Sequence, residues 1–72
     1  MLPVTKNSEL AGTIKKYMEI RHVTSDKLAL AGQMSKRTYQ NRMKNPGTFS
    51  LEEIRRIFDR LNVPEEERRG YL

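Results

Sequence analysis

Between Ser35 and Lys44 the chain sets Lys36, Arg37, Gln40, Asn41 and Lys44, with no acid among them. Arginine or lysine donors match the paired acceptors of guanine, and the amide of Asn or Gln matches the donor and acceptor of adenine. Lys36, Arg37, Gln40 and Asn41 are therefore the candidate base-reading groups. Thr24, Ser35 and Thr38, near two helix starts with free amides, suit phosphate oxygens. Lys44 and Asn45 can do the same further along. Side chains spaced this way act together only if a helix turns them to one side.

The charge distribution points the same way. Residues 27–51 hold Lys27, Lys36, Arg37, Arg42 and Lys44 and no acid, so the formal net charge of +5 resides in that middle third. The segments on either side cancel each other. A field of one sign confined to one segment suits a polyanionic partner. The chain has no cysteine and one histidine, His22. Disulfides and thiolate metal sites are therefore excluded, and His22 reads as a surface or packing residue. No nucleophile is tied to His22 or Asp26, and no glycine loop cradles a phosphate. No catalytic role, no cofactor and no metal are expected. No apolar run is long enough for a membrane span, and Met1-Leu2-Pro3-Val4 lacks the regions of a signal peptide. A cytoplasmic location, away from the membrane, is the expectation.

Seventy-two residues allow one domain, 1–72, with a thin core. Residues 1–7 read as a flexible or loosely docked lead-in. A first helix fits 8–21, where Leu10, Ile14, Tyr17 and Met18 recur at helical spacing. Gly12 within it costs about 1 kcal/mol relative to alanine. The next three helix starts repeat one device, a capping hydroxyl bracketed by two apolar residues. Thr24 caps with Val23 reaching Leu28, and Ser35 with Met34 reaching Tyr39. Ser50 caps with Phe49 reaching Ile54, and Glu53 completes a capping box. Helix two should stop near Gly32-Gln33, and helix three near Lys44 ahead of Asn45-Pro46-Gly47. The fourth helix is expected to bury Leu51, Ile54, Ile57, Phe58 and Leu61 and to yield at Asn62. Pro64 with Glu65, Glu66 and Glu67 opens a short fifth helix, which Arg68, Arg69 and Gly70 close. Tyr17, Tyr39 and the methionines are expected to pack inside.

The stretch Thr24–Lys44, TSDKLALAGQMSKRTYQNRMK, resembles the helix-turn-helix of the Cro and phage-repressor (XRE-type) family, and the resemblance runs to about Leu61. SKRTYQNRMKNP followed by FSLEEI is similar to short phage-encoded members. The resemblance implies an all-α, four- to five-helix, lambda-repressor-like DNA-binding domain with its motif at about 24–44. It implies a small residue at the helix crossing (Ala29), an apolar residue after the turn (Met34), a capping Ser35 and a buried Tyr39. Lys36, Arg37 and Asn41 match the family's base-reading positions, and Ser25 its contact to the backbone or an outer base. Two places depart from the pattern. The family has glycine where this chain has Gln33 and an apolar residue at Gly32. Gln33 must therefore turn left-handed at roughly 1 kcal/mol or more, or the turn takes another shape. Arg42 stands where many members bury an apolar group, so Met43 is expected to fill that space.

The implied function is sequence-specific double-stranded DNA binding by a transcriptional regulator of phage or mobile-element type. A homodimer on a palindromic operator follows from the family, with Val63, Pro64, Tyr71 and Leu72 as apolar groups spare for pairing. The length leaves no room for a separate cleavable or oligomerising domain, which favours a Cro-like regulator. The alternative is a protein-interaction module of the same fold, such as an antirepressor or antitoxin-like adaptor. That reading does not account for an acid-free, basic recognition helix. RNA binding would call for exposed aromatic rings, which this surface lacks if Tyr39 turns inward.

Overall fold

The computed structural model describes the backbone of residues 4–71 and the side chains of residues 9–71. The order is α1 (Val4–Arg21), α2 (Ser25–Ala31), α3 (Lys36–Lys44), a 3₁₀ turn (Pro46–Thr48), α4 (Leu51–Leu61) and α5 (Glu65–Arg68). Among the described residues there is no strand, and no helix is long and apolar enough to cross a membrane. α4 packs on α1 and α2, α2 packs on α3, and the 3₁₀ turn bridges α1 and α3.

The core is built where the apolar spacing says it should be. Leu10, Ile14 and Tyr17 of α1 meet Leu28 and Ala29 of α2, Tyr39 of α3, and Ile54, Ile57, Phe58 and Leu61 of α4. Met18, Met34 and Met43 lie partly buried against them. The three capping hydroxyls each accept the expected amide: Lys27 N–H to Thr24 (3.3 Å), Thr38 N–H to Ser35 (3.1 Å) and Glu53 N–H to Ser50 (3.1 Å).

Three expectations are corrected. Helix α1 begins at Val4, so residues 4–7 belong to it and not to a lead-in; residues 1–3 lie outside the described part. Nothing between Val4 and Leu10 breaks a helix, and turns added to an existing helix cost little. Leu51 is 60% exposed instead of buried. It is the first residue of α4, and Phe49, buried just before the cap, already closes the core at that end. Val63 and Tyr71 are not spare for pairing, because both are buried in the protein's own core. The Tyr71 ring meets Phe58 edge-on at 5.8 Å, and its hydroxyl lies 3.4 Å from that of Thr13. Pro64 is half-buried, and Leu72 lies outside the described residues.

The joints between helices share a geometry. His22, Gln33 and Asn62 each turn left-handed (φ 55°, 59° and 55°). The next residue then reaches back across the helix end: Val23 N–H to Met18 O, Met34 N–H to Ala29 O and Val63 N–H to Phe58 O, each at 3.0 Å. The left-handed residues bond to Glu19, Leu30 and Asp59. This is the Schellman closure, made three times without glycine. Asn and His enter that conformation more readily than most residues, and Gln33 bears the larger cost.

The end of α4 carries further support. Arg21 donates from Nε to Leu61 O (3.1 Å) and from Nη2 to Asn62 O (3.3 Å). Arg68 donates to Val63 O (2.8 Å), Phe58 O (3.1 Å) and the Asp59 carboxylate (2.6 Å). Two cations thus stand at the negative end of the helix and donate to carbonyls in and just beyond its last turn. Nearby, Lys16 donates to Glu67 at 3.0 Å. The Tyr17 hydroxyl, then Lys16, holds the Glu67 carboxyl below its ordinary range.

Candidate nucleic-acid interface

Helix α3 is oriented by one side chain. Tyr39 is 4% exposed, and its hydroxyl donates to Met18 Sδ at 3.4 Å. Burial pushes its phenol pKa up. With Tyr39 turned in and Met43 half-buried, Lys36, Arg37, Gln40, Asn41 and Lys44 are left exposed. Arg42 goes elsewhere. Its Nε donates to Glu53 of α4 at 3.2 Å, so this cation belongs to the scaffold while Met43 packs on the core. α3 carries no acid, and Arg42 and Lys44 lie in its last turn, where cations are favoured.

The expected backbone-binding residues divide into two kinds. The Thr24 and Ser35 hydroxyls are occupied as caps, and the Ser35 hydroxyl also donates to Thr38 Oγ1 at 3.0 Å. The Asn45 side chain is exposed, while its carbonyl closes the 3₁₀ turn by accepting the Thr48 N–H (2.9 Å) and hydroxyl (2.6 Å). Ser25 is half-buried, and it shares a shallow open groove with Gln40 and Lys44. Met18, Tyr39 and Met43 supply the apolar part of that groove, and Lys15 of α1 completes it. Thr24 does not line it.

Two residues of this face were missed by sequence reasoning. Lys15 lies beside the apolar stripe of α1, and its spacing from Met18 was the signal that could have found it. Asp26, in the first turn of α2, pairs with Lys36 across the joint (Oδ1 to Nζ, 3.1 Å). An acid in a first turn ordinarily serves the helix dipole, which hides any second role. Among the described residues, no three His, Cys, Asp or Glu side chains gather as a metal set. No protein-family model, curated protein or solved structure matches the chain. The face combines amide side chains, hydroxyls and exposed cations around one helix. Such a surface can donate hydrogen bonds to a polyanion.

Proposed function

We propose that the protein is a cytoplasmic, non-catalytic transcriptional regulator that binds double-stranded DNA sequence-specifically through α3. In this reading α2, the joint Gly32–Ser35 and α3 form a helix-turn-helix, and α3 enters the major groove amino end first. The observation that carries it is the acid-free face of α3, exposing Lys36, Arg37, Gln40, Asn41 and Lys44 around a buried Tyr39. Lys36, Arg37, Gln40 and Asn41 face base edges. Ser25, Lys44 and Lys15 approach phosphates, with Thr24, Ser35, Thr38 and Asn45 near the backbone. The lack of cysteine fits a reducing compartment.

A homodimer on a palindromic operator goes with this reading, since a single small helix contacts few base pairs. With Val63 and Tyr71 committed to the core, pairing would draw on Ile20, Leu30 and Leu51, which are 51%, 77% and 60% exposed. Those same side chains favour a second reading, an adaptor that binds another protein. Titration with random duplex DNA at two salt concentrations separates the two. Binding that weakens steeply with salt supports the DNA reading, because counterions return as phosphate contacts are lost. No binding at low salt would leave the adaptor reading in its place.

A further inference from the structure

Asp26 and Lys36 make an ion pair from different helices, 3.1 Å apart, with both side chains more than half exposed. Exposed pairs of this kind add little to stability. A carboxylate beside a DNA-binding helix also opposes phosphate and weakens binding to any duplex. Asp26 is, moreover, the last acid before the acid-free run 27–51. Its place at the edge of that run, against the first residue of α3, calls for a role of its own.

The pair offers a donor and an acceptor one hydrogen-bond length apart. In the major groove a G·C pair presents two acceptors on guanine, N7 and O6, followed by the N4 donor of cytosine. O6 and N4 are themselves a hydrogen-bond length apart, because they bond to each other. Lys36 set against the two acceptors leaves Asp26 against the donor, and every group is matched. An A·T pair presents acceptor, donor, acceptor and then a methyl group. A carboxylate on its central donor is flanked by acceptors on both sides, and the ammonium reaches only one of them. Lys36 alone would accept any pair with an acceptor; the carboxylate supplies the rejection.

We propose that Asp26 and Lys36 act as one unit that reads a single G·C pair, Lys36 on guanine and Asp26 on cytosine. The proposal rests on α3 entering the major groove, and it names one base pair of the site. Asp26 then has two effects on DNA binding. It lowers affinity for random sequence and sharpens discrimination at one position.

The test is selection from a random duplex library with the whole chain, as wild type, Asp26→Ala and Lys36→Met, followed by titration of the enriched duplex and a random one. Wild type should fix a G·C pair at one position of each half-site. Asp26→Ala should relax that position by about tenfold, leave the other positions intact and bind random duplex more tightly. Lys36→Met should relax the same position. Thermal melting should leave both variants folded, because the α2 cap is Thr24 and neither side chain is buried. If wild type enriches a sequence and Asp26→Ala enriches the same one equally, or weakens all duplexes alike, the paired reading is overturned while DNA binding stands. If wild type neither enriches a sequence nor binds duplex, the DNA reading falls and takes this inference with it.

Discussion

Arg42 Nε donates to the same Glu53 oxygen that accepts the Ser50 backbone N–H, at 3.2 Å and 2.9 Å respectively. One carboxylate therefore closes the amino end of α4 and ties it to α3. Glu53→Ala should lower the unfolding free energy by about 1–2 kcal/mol, from the lost cap and the half-buried charged hydrogen bond. Glu53→Gln should cost about half as much, since glutamine still completes a capping box. Urea denaturation of the two variants reads the difference; no loss in Glu53→Gln would mean that the charged bond to Arg42 contributes nothing, and equal losses that the cap contributes nothing.

Gln33 holds a left-handed conformation at φ 59°. Gln33→Gly should raise stability by about 1 kcal/mol, because glycine lacks the Cβ that strains this position. A thermal melt checks it, and an unchanged or lowered midpoint would mean that the strain is relieved in some other way.

The Lys16, Tyr17 and Glu67 group sets a pH dependence with a definite sign. The Tyr17 hydroxyl and Lys16 lower the Glu67 pKa from its ordinary 4.5. Its contribution to stability is therefore complete above the ordinary value and is lost as pH falls through the lowered one. Lys16 is raised from 10.5, chiefly by its hydrogen bond to Glu67, and Tyr17 is raised from 10.0, chiefly by the same carboxylate. Their contributions are complete below those values and fade as pH rises through the raised ones. Glu67→Gln should flatten the acid limb of a melting-temperature profile. A variant profile parallel to wild type would refute the assignment.

Arg37 and Lys44 are both exposed and should behave differently on DNA. Arg37→Ala should cost roughly 1–3 kcal/mol on the preferred operator and relax one base position. Lys44→Ala should weaken all sequences about equally and reduce the salt slope by about one. A merely sticky basic face predicts the same non-selective loss for both, so proportionate losses on operator and random duplex would exclude base reading by Arg37.

The helix starts were legible because a capping hydroxyl between two apolar residues is a local signal, complete within six positions at Thr24, Ser35 and Ser50. The helix ends were half legible. Gln33 was recognised as a left-handed candidate through the family pattern, whereas His22 and Asn62 lacked the glycine that usually marks the position. Arg68 reads locally as the close of α5 and Arg21 as the end of α1, yet both donate to the end of α4, from 10 and 40 positions away. Val63 and Tyr71 carry no periodicity, so only packing reveals them as core. At the candidate site, the outward row of α3 follows from Tyr39 facing inward. The Asp26–Lys36 pair depends on the angle between α2 and α3, which spacing alone does not give.

The joints Arg21–Thr24 and Ala31–Ser35 have a consequence for insertions and deletions. Val23 and Met34 each close one helix by a backward hydrogen bond and stand directly before the cap of the next. No residue in either joint is idle. Adding or removing one would separate the closing bond from the apolar clasp, so that one of the two could no longer form. The stretch Asn45–Phe49 holds itself together through its own 3₁₀ turn. That turn also seats Pro46 and Phe49 in the interior, and both the Thr48 N–H and its hydroxyl bond to Asn45 O, so a change of length there would cost the fold as well.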